Sequence, residues 1–141
     1  ITAFTGEAVR NTCVSDLPNL YVTDFIKNMN SAYTLADLVI SRAGAGSISE
    51  FCLLGKPVIL VPSPNVAEDH QTKNALALVN KDAALYIKDA EAQEKLLDTA
   101  LATVTDDEQL KQLSQNISKL ALPDSARIIA QEVLKLIKEK K

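Results

Sequence analysis

Short apolar runs alternate with segments of helical periodicity along most of the chain. Four runs have the length and residue types of strands, and they cover residues 19–26 ("NLYVTDFI"), 37–42 ("DLVISR"), 57–62 ("PVILVP") and 83–87 ("AALYI"). The segments between them predict helices at residues 29–36, 47–54 and 69–82, and the second of these should end at Gly55, just before Pro57. Beyond residue 87 the pattern predicts helices, over residues 92–103, 106–120 and 124–141.

The order of these elements indicates the fold class. The run at residues 57–62 is apolar without interruption and bounded by prolines, which is typical of a strand buried on both faces of a parallel sheet. Strand–helix–strand repetition with short links requires right-handed crossovers. We therefore predict an α/β fold, a Rossmann-like doubly wound parallel sheet followed by C-terminal helices.

Composition and charge exclude several classes of partner. The 141 residues include 47% hydrophobic and 23% charged side chains, which fits a single soluble domain. The net charge of -3 gives no reason to expect a nucleic acid partner. Cys13 and Cys52 lack CxxC spacing, so we expect a reduced setting and no metal site. No apolar run approaches the roughly 18 residues of a membrane-spanning helix.

The amino terminus indicates a longer protein. The chain begins at Ile1, and its one methionine is Met29. We therefore expect residues 1–141 to be part of a larger protein, with some of its functional residues outside this sequence.

The turn between the second strand and the next helix, "SRAGAGSISE" at residues 41–50, carries the candidate chemistry. Ligands of doubly wound sheets bind at the carboxyl ends of the strands, where loops enter helices. Gly44 and Gly46 would let a ligand approach the backbone, and the helix start offers free N–H groups to a phosphate. Ser47 could cap the helix or donate to that phosphate, and Glu50, one turn further, could accept hydrogen bonds from a ribose.

The residues alone leave alternatives open. A G-x-G turn followed by serine also occurs as a plain strand-to-helix connection, and Ser49 breaks the G-x-G-x-x-G fingerprint of dinucleotide sites. His70, the single histidine, suits either a catalytic base or a loop or cap position. Arg42 could face the edge of the sheet or pair with an acid.

Three motifs in a fixed order resemble a known family. They are "DFI" with Met29 three residues on, "ADLVISRAG" followed by "SISE", and "PVILVPSP" followed by "AEDHQTKNA". Over residues 21–87 the chain resembles the carboxy-terminal domain of the MurG family, the peptidoglycan glycosyltransferases of glycosyltransferase family 28. The resemblance implies a two-domain GT-B enzyme, with residues 1–141 as its N-terminally truncated nucleotide-sugar domain and the acceptor domain absent.

The resemblance also implies an activity and its partners. Members of the family transfer N-acetylglucosamine from UDP-N-acetylglucosamine (UDP-GlcNAc) to lipid I, which yields lipid II. They act as peripheral enzymes at the cytoplasmic face of the bacterial inner membrane. They invert the anomeric centre without a bridging metal, and no cofactor is implied. Residues 1–141 alone should bind the donor weakly and catalyse nothing.

Residue by residue, the resemblance implies a donor site and no catalytic group within this chain. The implied donor-binding residues are Ile26, Ala45, Gly46, Ser47, Glu50 and Gln71, with Gly44, His70 and Asn74 as secondary candidates. Ile26 would contact the uracil edge through its backbone, Glu50 would bind the ribose hydroxyls and Gln71 would contact the hexose. The turn at residues 45–47 would surround the diphosphate.

Two rival functions remain open from the sequence. One is another GT-B enzyme that uses a UDP-sugar, either a glycolipid glycosyltransferase or a UDP-GlcNAc epimerase, which would differ in the loop "EDHQTKNA". The other is a non-catalytic nucleotide-binding or assembly module that keeps the turn for structure only. Measured affinity for UDP separates such a module from both kinds of enzyme.

Overall fold

A computed structural model describes residues 19–65 and 69–139 of the chain, so Cys13 lies outside the described residues. It contains a parallel sheet of three strands, β1 (Val39–Ser41), β2 (Val58–Leu60) and β3 (Leu85–Tyr86), in the order β1-β2-β3. Ile40 pairs with Ile59, and Leu60 pairs with Tyr86, which sets the register of the two ladders.

Six helices accompany the strands in this part of the chain. They are α1 (Met29–Leu35), α2 (Ala45–Leu54), α3 (His70–Val79), α4 (Asp89–Val104), α5 (Asp107–Ser118) and α6 (Ser125–Glu139). Each strand is followed by a helix, as the alternating pattern predicted.

Helices cover both faces of the sheet. Successive side chains of a strand point to opposite faces, and the whole of β2 is buried. Val58 and Leu60 belong to a core cluster with residues of α2, α3 and α5, including Phe51 and Ile117. Ile59 points the other way, into a second cluster that includes residues of α4. The predicted doubly wound α/β fold is confirmed by this arrangement.

The helix α2 ends at Gly55, as the sequence predicted. Gly55 has a φ of 62°, and the N–H groups of Gly55 and Lys56 donate to the carbonyls of Cys52 and Phe51 at 3.3 and 3.0 Å. A side chain here would be strained by the left-handed backbone. It would also collide with α5, because an added Cβ would lie 2.5 Å from Ser118 Oγ. The turn that leads into β2 therefore depends on a glycine at this position.

The strand predicted at residues 19–26 is wrong, because these residues form an irregular segment. The hydroxyl of Thr23 accepts a hydrogen bond from Phe25 N (3.4 Å) and donates one to Phe25 O (3.0 Å). This local turn occupies backbone groups that a ladder would use. Tyr21 and Phe25 are 65% and 76% exposed, so the segment does not bury the side chains that suggested a strand.

The last helix, α6, has an apolar face that is exposed in the described structure. Ile129, Leu134 and Leu136 are among the side chains on it with more than half of their surface exposed. Large exposed apolar faces are typical of contact surfaces. Within the described ranges, no helix is long and apolar enough to cross a membrane.

Candidate functional site

The carboxyl ends of β1 and β2 lie side by side at one edge of the sheet, because the two strands are parallel neighbours. The loop after β1 leads into α2, and the loop after β2 leads into α3. The two loops begin in contact, with Val61 N donating to Ser41 O at 2.9 Å. Apart from Ile26, the site residues predicted from the sequence all lie on these loops or on the two helices that follow them.

The start of α2 presents unpaired backbone donors. Gly44 is the N-cap, and it has no side chain to hydrogen-bond the helix start. The first helical hydrogen bond runs from Ile48 N to Gly44 O at 3.0 Å. The N–H groups of residues 45–47 precede it, so they have no partner within the helix and lie at the positive end of its dipole. The alternative that Ser47 caps the helix is wrong, because Ser47 is its third residue.

The two glycines of the turn are not required by the fold itself. Gly44 has an ordinary φ of -70°, and the described glycine with a positive φ is Gly55. A Cβ added at Gly46 would meet no described heavy atom within 4 Å, and one added at Gly44 would have Ser47 Oγ as its nearest neighbour, at 4.0 Å. The missing side chains therefore leave space in front of the helix start that a ligand could fill.

A cavity of about 220 Å³ opens beside this helix start. Ile26 and Ser47 both line it, together with Tyr33 and Phe51. The rest of its wall comes from α1, from β1 and from the residues that join them. The structure thus brings the position predicted to contact uracil to the same cavity as the turn predicted to hold the diphosphate.

Glu50 lies one turn into α2 and is held by an aromatic residue of α1. Tyr33 Oη donates a hydrogen bond to Glu50 Oε2 at 2.8 Å. The Tyr33 ring is buried and packs edge-on against Phe51, with 5.9 Å between the ring centroids. Burial of the hydroxyl, then its hydrogen bond to Glu50 and the charge of that carboxylate, raise the pKa of Tyr33 to about 12. Sequence reasoning missed this pair, because no local spacing rule connects residues on two different helices.

Two polar residues of α3 hold the peptide that precedes the turn. Gln71 Oε1 accepts hydrogen bonds from Ala43 N (3.2 Å) and Ser63 N (2.9 Å), and so joins the two loops. Asn74 Nδ2 donates to Ala43 O at 3.2 Å. Ala43 is fully buried, so these side chains satisfy both of its backbone groups where water does not reach. Gln71 thus offers its acceptor oxygen to the protein, whereas its Nε2 keeps two donors for a ligand.

His70 is the first residue of α3 and is exposed. The N-cap of this helix is Asp69, which has a left-handed φ of 55° and makes no capping hydrogen bond through its side chain. His70 is therefore not a cap residue. It lies next to Gln71 at the same edge, and its role as a secondary donor contact stays a prediction.

Arg42 links the end of β1 to the loop after β2 and to the start of α4. Its Nη1 donates to Val61 O (3.1 Å) and Pro62 O (3.3 Å) in the loop after β2. The same nitrogen pairs with the carboxylate of Asp89 at the start of α4. Both alternatives left open by the sequence therefore hold, and the charge of Arg42 is engaged within the protein before any ligand binds.

A larger cavity, of about 540 Å³, lies between α2, α3 and residues 119–125. Its wall includes Cys52, Lys81 and Lys119, and burial raises the pKa of the Cys52 thiol, with a partly opposing effect from Lys81. It contains none of the predicted site residues. The described residues also include no group of three or more His, Cys, Asp or Glu side chains placed to hold a metal ion. The candidate ligand-binding site is therefore the one at the carboxyl ends of β1 and β2.

The fold and the site together define a class of protein. A doubly wound α/β domain whose strand-to-helix turn presents N–H groups beside an apolar cavity is typical of nucleotide-binding domains. Residues 2–131 match the profile of one family, described as "Glycosyltransferase family 28 C-terminal domain". The chain belongs to this family, and the resemblance seen in its motifs is confirmed.

Curated relatives and a solved structure agree with this assignment. The chain is 76% identical over 130 residues to a protein of Bacteroides thetaiotaomicron and 60% identical over 121 residues to one of Porphyromonas gingivalis. Both are named "UDP-N-acetylglucosamine--N-acetylmuramyl-(pentapeptide) pyrophosphoryl-undecaprenol N-acetylglucosamine transferase". The matches cover 92% and 86% of this chain but 34% and 32% of those relatives.

The crystal structure of Acinetobacter baumannii MurG is similar to this fold, with a TM-score of 0.75 at 30% sequence identity. The similarity covers 82% of this chain and 35% of that one. The chain thus spans about a third of the length of the proteins it matches.

Proposed function

We propose that the chain is the nucleotide-sugar domain of a glycosyltransferase that moves N-acetylglucosamine from UDP-GlcNAc to lipid I and so makes lipid II. The names of its relatives support the reaction, and the family match supports the donor-binding role. Because the chain spans about a third of those relatives, the proposal assigns the acceptor-binding domain to sequence outside residues 1–141. The complete protein would then consist of the two domains together.

The observation that carries the proposal is the cavity that Ile26 and Ser47 share at the start of α2. In the proposed complex the uracil enters this cavity and is recognised by the backbone of Ile26. The diphosphate accepts hydrogen bonds from the N–H groups of residues 45–47, at the positive end of the α2 dipole. Gly44 adds room for the phosphate oxygens, and Glu50 accepts hydrogen bonds from the ribose hydroxyls.

The hexose would lie beyond the diphosphate, near the start of α3. Gln71 can donate from Nε2 to hexose hydroxyls while its Oε1 stays bound to the backbone. His70 is the exposed neighbour that would form a secondary contact. Asn74 uses Nδ2 for Ala43 O, so its Oδ1 is the atom that remains for the donor.

The same turn would stabilise the leaving group. Negative charge develops on UDP as the bond to the sugar breaks, and fixed N–H donors at a helix start offset that charge without having to reorganise. Glu50 and Gln71 position the donor and do not react with it. We assign no catalytic residue to this chain, and the base that activates the acceptor hydroxyl would belong to the acceptor domain.

The proposed partners are UDP-GlcNAc, lipid I and the cytoplasmic surface of the bacterial inner membrane, to which the complete protein would bind peripherally. The acceptor domain would make most of the contacts to lipid I and to the membrane. We propose no nucleic acid partner, no metal and no cofactor.

Nucleotide selectivity tests the proposal. In titration calorimetry the complete protein should bind UDP more tightly than ADP or GDP, because the backbone of Ile26 would read the edge of the uracil. Equal affinity for the three nucleotides would refute the uridine assignment, and no affinity for any would favour a non-catalytic assembly module that keeps the turn for structure only. Transfer of N-acetylglucosamine to an acceptor other than lipid I would instead identify another UDP-sugar enzyme.

A further inference from the structure

The hydroxyl of Tyr33 contacts a residue that the proposed donor site uses. It donates to Glu50 Oε2 at 2.8 Å, from α1 to α2. Tyr33 is 8% exposed and lines the cavity that Ile26 and Ser47 share, and its ring stands at 87° to the ring of Phe51. The packing of the ring therefore fixes the position of its hydroxyl.

This hydroxyl holds one oxygen of the Glu50 carboxylate. Its side chain is exposed, and in the described structure Tyr33 is its hydrogen-bond partner and no cation pairs with it. A glutamate on a helix surface otherwise samples several rotamers, and ordering it on binding lowers affinity. With Oε2 held by Tyr33, Oε1 stays available to accept a hydrogen bond from a ligand.

We propose that Tyr33 is a positioning residue that orients the Glu50 carboxylate for the ribose hydroxyls before the nucleotide arrives. The inference rests on the proposed function, in which Glu50 binds the ribose. It adds that the ring of Tyr33 forms part of the wall of the base cavity while its hydroxyl sets the ribose contact. With its pKa raised to about 12, the Tyr33 hydroxyl stays protonated, and therefore a donor, beyond the pH at which an ordinary tyrosine ionises.

The test compares two nucleotides in the Tyr33→Phe variant, which loses the hydroxyl and keeps the ring. UDP and 2′,3′-dideoxy-UDP are titrated into the complete protein by calorimetry. We expect the variant to bind UDP about three- to tenfold more weakly than the wild type, the cost of ordering one flexible side chain. Affinity for dideoxy-UDP, which has no ribose hydroxyls to bind, should change by less than about twofold on the same reasoning.

A matched control and a double variant sharpen this test. Tyr86→Phe changes a half-buried tyrosine of β3 that makes no side-chain hydrogen bond in the described structure, and it should leave both affinities unchanged. In a Glu50→Ala background, Tyr33→Phe should cause no further loss of UDP affinity, because the effect of Tyr33 passes through Glu50. A further loss in that background would overturn the inference.

The remaining outcomes separate the inference from the proposed function. An equal loss for both nucleotides, or no loss for either, would show that Tyr33 does not act on the ribose contact and would overturn the inference alone. Wild-type protein that binds UDP and dideoxy-UDP equally would overturn the ribose role of Glu50, and the inference with it. Wild-type protein that does not bind UDP would overturn the proposed function itself.

Discussion

Replacing Gln71 with alanine should destabilise the fold, because its side chain joins the two loops of the site. Gln71 Oε1 accepts hydrogen bonds from the N–H groups of Ala43 and Ser63. In Gln71→Ala the N–H of Ala43 loses its partner at a fully buried position, and an unsatisfied buried donor costs about 1–3 kcal/mol. The N–H of Ser63 is on a half-buried residue, where water can replace the lost oxygen. The free energy of unfolding should therefore fall by about 2 kcal/mol, as measured by urea denaturation followed by circular dichroism.

Two further variants separate this structural role of Gln71 from sugar recognition. Gln71→Glu keeps an acceptor oxygen for both N–H groups, so it should lose less stability than Gln71→Ala. It lacks amide donors for hexose hydroxyls, so in the complete protein it should lose more affinity for UDP-GlcNAc than for UDP. Gln93→Ala, at an exposed glutamine of α4, is the control for the loss of a glutamine side chain. If Gln71→Ala is as stable as Gln93→Ala, the two hydrogen bonds do not stabilise this edge and the reasoning is wrong.

Gly55→Ala should lower the free energy of unfolding by about 1–3 kcal/mol, because the new Cβ meets both a left-handed backbone and Ser118 Oγ. Gly46→Ala, where a Cβ meets nothing within 4 Å, is the control in the same denaturation assay, and equal stability of the two variants would contradict the account of the α2 terminus. Alkaline titration followed by ultraviolet absorbance should find a tyrosine that ionises near pH 12 and is missing from Tyr33→Phe. This pKa is raised above its ordinary value of 10.0, so the contribution of Tyr33 to stability should be complete below about pH 10 and decline as the pH rises toward 12. Ionisation of Tyr33 near pH 10 would contradict the buried hydrogen bond.

The sheet and its helices could be predicted from the sequence because their signals are local. The run at residues 57–62 is apolar throughout, and β2 is in fact buried on both faces. Gly55 marks the end of α2 because a residue without a Cβ suits the left-handed cap. At residues 19–26 the local signal misled, because the apolar side chains have the residue types of a strand while Thr23 closes a turn with the backbone of Phe25.

The contacts that shape the site could not be predicted, because their partners are far apart in the chain. Tyr33 and Glu50 are separated by 17 positions, and Gln71 and Ala43 by 28. Motif spacing can indicate which residues lie at a site, but it does not show which of their atoms the protein already uses. For Gln71 the resemblance implies contact with a hexose, and the fold adds that its oxygen is bound to backbone. The atoms left for a ligand follow from tertiary packing, which no local pattern encodes.

The charge distribution at this edge bears on how a diphosphate would be held. Arg42 is close to the turn in sequence, but its Nη1 is engaged by Asp89 and by two backbone carbonyls. A cation neutralised in this way adds little net positive charge in front of α2. The attraction would then come from the N–H groups of residues 45–47, and fixed dipoles stabilise a charge only while they keep their orientation. The side chains of α3 that hold the buried peptide of Ala43 supply that rigidity, so the stability of this peptide and the stabilisation of a departing UDP would depend on the same hydrogen bonds.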